Sequence, residues 1–175
     1  MTRLSRRLML TMPAAALATG AHAAQFPRPL APVAFTWPDG SKGDWKKYAG
    51  KVLAVEFIIT SCQACHRSGK MLEGYYKEFR GQGLQVIALA TNDNAQRDIA
   101  TFLAGSGATF PVGIVARDKA QEFLQHPMAS IFYVPQTAIV DRKGMVRYQH
   151  GGKIQTPPDD DMKMRNEIVE LLKAK

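Results

Sequence analysis

Apolar positions along this chain fall into two kinds of block, short dense runs and longer stretches with a period near 3.6 residues. The run 52–59 (Val-Leu-Ala-Val-Glu-Phe-Ile-Ile) is nearly continuous and rich in β-branched residues, the pattern of a strand covered on both faces. Residues 84–90 repeat that pattern. Between the two runs, Met71, Leu72, Tyr75, Tyr76 and Phe79 recur at helical spacing and predict a helix over 67–79, closed by Gly81 and Gly83. A second helix over 95–103 follows an Asn-Asp-Asn cluster at 92–94 and is expected to end before Gly105. A short strand at 110–115 comes next, then a helix at 119–124 that must stop by His126-Pro127. Residues 136–140, 141–144 and 145–148 read as strand, glycine-containing turn and strand, and 162–172 as a closing helix behind three aspartates. At the other end, 24–33 holds three prolines and reads as an extended lead-in, followed by a strand candidate at 35–37 and a helical turn at 44–49. Strands alternating with helices, then a hairpin and a helix, predict an α/β sandwich around a central mixed sheet.

The first 23 residues stand outside this pattern. Arg3, Arg6 and Arg7 precede a mildly apolar stretch, which ends in the small-x-small sequence Ala21-His22-Ala23, the order of an export signal. The stretch is only about 14 residues long and contains Pro13, short of the roughly 20 a spanning helix needs, so removal is expected and stable membrane insertion is not. Ser5-Arg6-Arg7-Leu8-Met9-Leu10 is also similar to a twin-arginine signal, so two export routes stay open. No cysteine precedes position 62, which excludes lipid attachment at the cleavage site. The expected organisation is therefore a leader over 1–23, a lead-in over 24–34 and one domain over 35–175, in a periplasmic or otherwise exported protein expected to be a monomer.

Composition changes that picture little. At 175 residues, 46% apolar and 22% charged, the chain can bury one core. The formal charge of +8 falls to +5 when the leader's three arginines leave. The remaining bases are interspersed with acids, without a basic stripe, so no nucleic-acid partner is expected.

The candidate chemistry lies in two cysteines, too few for a disulfide framework or a four-cysteine zinc site. Cys62-Gln63-Ala64-Cys65 falls where the first buried strand gives way to a helix. There, free backbone N–H groups and the positive end of the helix dipole favour a thiolate, the form that attacks disulfides. Cys65, three residues on, can reach a mixed disulfide on Cys62 and close a ring. His66, if protonated, would stabilise the thiolate further. Glu56 contradicts the apolar run that contains it: burial would raise its pKa and suit it to take the proton from Cys65. The competing reading has Glu56 pointing out from a strand edge.

On these residues the sequence resembles the thioredoxin superfamily and, within it, exported TlpA/ResA-like thiol–disulfide oxidoreductases. The resemblance runs from about Phe35 to the C-terminus and includes Val134-Pro135-Gln136-Thr137 before the hairpin. It implies a thioredoxin-like sandwich with an N-terminal β extension and elaboration between Asn92 and Ser130, ahead of the proline. It further implies a cis Pro135 beside the cysteines, Val134 backbone contacts to substrate, Glu56 as the buried acid, and Cys62 and Cys65 as a redox-active disulfide. No cofactor or metal is implied, only protein thiol or disulfide substrates and a partner that resets the disulfide. The chain departs from the family at Ser61, where an aromatic is usual, at Gln63-Ala64, where thioredoxins have Gly-Pro, and at Ser68, where many TlpA-like members have Glu. Without Pro or His between the cysteines, a reductant is preferred over a strong oxidant.

Three other readings compete with this one. Cys62-x-x-Cys65-His66 also matches the c-type haem attachment signature, which would make the chain an electron carrier with His66 as axial ligand. A peroxiredoxin would need Pro and Thr where Val55 and Ile59 stand. A thioredoxin-like binding module with an inert disulfide is the third. His150, in a His-Gly-Gly segment after the last strand, forms no metal cluster with the other histidines.

Overall fold

The computed structural model describes residues 25–151 and 158–174; the expected leader over 1–23 lies outside them. In chain order the elements are β1 (Arg28–Pro29), β2 (Val52–Ile58), α1 (Gln63–Phe79), β3 (Leu84–Ala90), α2 (Ala95–Ser106), β4 (Val112–Ile114), α3 (Arg117–Leu124), β5 (Gln136–Val140), β6 (Met145–Gly151) and α4 (Pro158–Lys173). The strands form one mixed sheet in the order β1-β6-β5-β2-β3-β4. β2, β3 and β4 run parallel, while β5 and β6 lie antiparallel to their neighbours.

Every residue of β2 is buried, as its unbroken apolar run requires. Its side chains alternate between two cores. Val52, Ala54 and Ile58 face one formed by α1, α2 and α4, with Leu72, Phe79, Phe102 and Ile168. Leu53, Val55 and Phe57 face the other, covered by α3 and the lead-in. There Trp45 stacks on Phe123 at 5.6 Å and meets Phe35 edge-on at 4.9 Å, while its indole N–H donates to the Val33 carbonyl at 2.8 Å. These rings pack among the aliphatic residues Leu53, Val55, Leu124 and Val140 of the second core.

Several boundaries differ from the sequence reading. The N-terminal extension is two residues long, Arg28 and Pro29 pairing with Val146 and Met145 at the sheet edge, where proline's missing N–H is tolerated. The strand candidate at 35–37 reduces to Thr36, which bridges Lys42 on one side and Ile114 on the other. α4 begins at Pro158, ahead of the expected start at Met162. Gly105 does not stop α2, which continues to Ser106. It is instead a point of close approach: a Cβ there would lie 2.6 Å from His66 Nδ1, and reciprocally a Cβ on Gly69 of α1 would lie 2.9 Å from the Phe102 ring. Each helix thus omits a side chain where the other one packs.

Candidate active site

α1 starts at Gln63, four residues ahead of its amphipathic pattern, because Cys62 itself is the N-cap. Cys62 has extended backbone angles (φ −78°, ψ 116°), and its sulfur accepts the Cys65 N–H at 3.3 Å. An N–H aimed at sulfur is worth most when the sulfur carries charge. The Cys62 amide donates back to the Ile59 carbonyl at 3.0 Å, which folds the short connection from β2. Both thiols are free, Cys62 partly exposed and Cys65 fully buried. Burial above all, then the sulfur of Cys62 and the charge of Glu56, push the Cys65 thiol well above its ordinary range. Cys65 therefore holds its proton unless a base removes it.

Glu56 is completely buried, which rules out the strand-edge reading. In register it lies between Ala88 of β3 and Thr137 of β5. Period-two alternation turns it to the same face as Val52, Ala54 and Ile58, the face that α1 and Cys65 cover. Burial pushes its pKa up to about 8, and the Ser68 hydroxyl of α1 offsets a smaller part. Neither carboxyl oxygen has a hydrogen-bond partner. A carboxyl left so uncompensated stays neutral or exchanges a proton near neutral pH.

The Val134–Pro135 peptide is cis. Val134 is partly buried and packs against both cores, while Cys62 borders the core on the α1 face. Gln136 donates to the Tyr133 carbonyl at 2.8 Å, holding the turn into β5. In the loop just before it, Met128 and Ile131 are 64% and 70% exposed, high values for large apolar side chains. On the far side, Gly151 (φ 90°) backs onto the same turn, and a Cβ there would lie 2.2 Å from the Pro135 carbonyl oxygen. Gly151→Ala is expected to cost about 2–3 kcal/mol, since it combines a positive φ with a backbone clash. Urea denaturation checks this; an unchanged midpoint would show that the turn yields without cost.

His66 sits one turn into α1 with its Nε2 on the Thr60 carbonyl at 2.8 Å and its ring edge-on to Phe102 at 5.5 Å. A carbonyl only accepts, so Nε2 carries the hydrogen. His150 lies inside β6, not after it: the hairpin runs three residues further than the pattern at 145–148 predicts, because Gln149 and His150 are polar yet pair with Ala138 and Thr137. Its side chain is buried and bonds Glu167 of α4, a pairing across 17 residues that no local pattern announces. Haem attachment would require both sulfurs to reach one ring, and Cys65 has no exposed surface.

The Redoxin family model matches residues 27–168. Among curated proteins, the chain is 25% identical over 135 residues to thiol-disulfide oxidoreductase ResA of Halalkalibacterium halodurans, covering 77% of this chain and 70% of that one. It is 28% identical over 110 residues to ResA of Bacillus anthracis, covering 62% of this chain and 59% of that one. Among solved structures it resembles a thiol:disulfide interchange protein of the thioredoxin family from Chlorobium tepidum, with TM-score 0.66, 18% identity, and coverage of 86% and 99%. The thioredoxin domain of a thiol-disulfide oxidoreductase from Bacteroides vulgatus gives TM-score 0.68, 15% identity, and coverage of 86% and 99%. The architecture described above is thus a thioredoxin-like fold.

Proposed function

The chain belongs to the Redoxin family, and on that premise we propose that it is a thiol–disulfide oxidoreductase of the TlpA/ResA-like kind, reducing protein disulfides in the cell envelope. The observation that carries this reading is a pair of unlike thiols: Cys62 half-open at the N-cap of α1, and Cys65 sealed behind it, close to an unpaired carboxyl.

In the proposed cycle the Cys62 thiolate attacks one sulfur of a substrate disulfide. The substrate S–S bond breaks, and the departing sulfur leaves as a thiolate that takes a proton from solvent. Cys65 then gives its proton to Glu56 and attacks the sulfur of Cys62, which closes the disulfide between Cys62 and Cys65 and releases the second substrate thiol. Two electrons pass from the cysteine pair to the substrate, and an external dithiol donor restores them. With a pKa of about 8, Glu56 is ionised roughly a tenth of the time at pH 7, so base and acid forms are both at hand. Val134 and Pro135, flanked by the exposed Met128 and Ile131, form the proposed docking edge for an extended substrate chain.

The basic leader and the site at Ala21-His22-Ala23 support export, and among the described residues no helix is long and apolar enough to cross a membrane. Gln63-Ala64 between the cysteines supports the reducing direction. Cys65→Ala removes the resolving thiol, so it is expected to accumulate mixed disulfides on Cys62 that dithiothreitol releases. Non-reducing gels and mass spectrometry read this directly; a variant that traps nothing from substrate-rich extracts would leave an inert binding module as the better description.

A further inference from the structure

Thr60, two residues before Cys62, is fully buried just where the chain leaves β2, and each of its polar groups is held. Its amide donates to Asn92 Oδ1 at 3.0 Å, and its hydroxyl accepts from Asn92 Nδ2 at 3.0 Å. Its carbonyl takes the His66 Nε2 hydrogen at 2.8 Å. Asn92 lies just past β3, and its neighbour Thr91 binds the Ile58 carbonyl twice, through its amide at 2.9 Å and its hydroxyl at 3.0 Å. The connection into Cys62 is therefore tied to the end of β3 from one side and to α1 from the other. The His66 ring has little freedom to leave: Phe102 meets it edge-on, and Gly105 approaches so closely that only a missing side chain leaves room.

We propose that His66 and Asn92 are positioning residues for the Cys62 nucleophile, acting through Thr60, and that His66 acts by the hydrogen bond it donates and not by its charge. This rests on the reading of Cys62 as the attacking thiol. The Thr60 carbonyl accepts the same Nε2 hydrogen whether the ring is neutral or cationic, so the contact does not depend on protonation for its existence. What the contact does is fix the peptide that leads to the N-cap. The cap sulfur must meet the Cys65 N–H, and small displacements of a reacting group cost large factors in rate.

Glutamine places an amide N–H at nearly the reach of Nε2 and carries no charge, which separates the two roles. The test is the rate of alkylation of Cys62 by iodoacetamide at neutral pH, in the full chain carrying Cys65→Ala so that one thiol reports. His66→Gln is expected to stay within about threefold of that parent, while His66→Leu and Asn92→Ala slow by roughly tenfold or more. Gly105→Ala keeps the imidazole but displaces it, and is expected to slow alkylation like His66→Leu. Circular dichroism and urea midpoints establish that each variant is folded, and His66→Gln with Gly105→Ala suffices if either of the others is not. Equal slowing by His66→Gln and His66→Leu would overturn the proposal in favour of charge; parent-like rates in His66→Leu or Gly105→Ala would overturn positioning altogether. A parent thiol no faster than the same thiol in the urea-unfolded chain would instead defeat the reading of Cys62 as nucleophile, a distinct failure.

Discussion

Cys62→Ser is expected to lower disulfide-reducing turnover, followed as insulin precipitation with dithiothreitol as donor, by at least roughly a thousandfold relative to the parent chain. The expectation follows from how differently the two sulfurs are placed. Cys65 has no exposed surface, and its thiol is pushed up by burial, so it cannot take over as the attacking group. A serine hydroxyl at position 62 would still accept the Cys65 N–H and cap α1, so the fold should persist while the nucleophile is lost. Retained turnover in this variant would overturn the proposed cycle at its first step.

The second large effect is on stability and its dependence on pH. Moving a carboxyl from its ordinary 4.5 in the unfolded chain to about 8 in the folded one corresponds to about 5 kcal/mol. Between those values the folded protein binds the Glu56 proton more tightly than the unfolded chain does, so stability falls as pH rises. The contribution of protonated Glu56 is fully present below about 4.5 and is lost as the pH passes through about 8. Glu56→Gln has no proton to lose. The variant should match or slightly trail the parent in the acid limb and exceed it by several kcal/mol above the folded-state value. Urea denaturation of the reduced proteins on both sides of that window measures the difference, and parallel stability curves would mean that Glu56 is not the buried acid described here. The same substitution should slow release of substrate from Cys62 by roughly 10²- to 10⁴-fold, the usual value of a positioned proton acceptor, and leave the first attack nearly untouched.

The dense apolar runs announced the central strands, because a strand covered on both faces has nowhere to place a polar residue. By the same logic the exception at Glu56 stood out, and the structure buries it on the face shared with Cys65. What stayed hidden depends on contacts remote in sequence or on signals with two meanings. The Asn-Asp-Asn cluster at 92–94 looks like a helix cap, yet Asn92 bonds Thr60 and the N-cap Asn94 makes no side-chain cap. Gly105 looks like a helix stop but serves close packing, and only knowledge of where His66 lies distinguishes the two. The bond from His150 to Glu167 joins a strand to a helix across a connection that no periodicity spans.

The pairing of β5 with β2 works as a ruler. Thr137 is registered against Glu56 and Gln136 against Phe57, so the segment beginning at Pro135 is measured off from the buried acid by a fixed number of rungs. Because side chains alternate, a slip of one rung would bring Thr137 level with a residue that faces the opposite core, and carry Pro135 along with it. The buried acid and the proposed docking edge are therefore held in step by the pairing of β5 with β2. An inserted residue between Pro135 and Thr137 would shift that segment against Glu56, and the far end of the hairpin gives no slack in return: at the turn 141–144, Arg142 donates to the Gly50 and Gln82 carbonyls at 3.0 and 3.1 Å, and Asp141 accepts the Lys143 and Met145 amides at 2.9 and 3.0 Å.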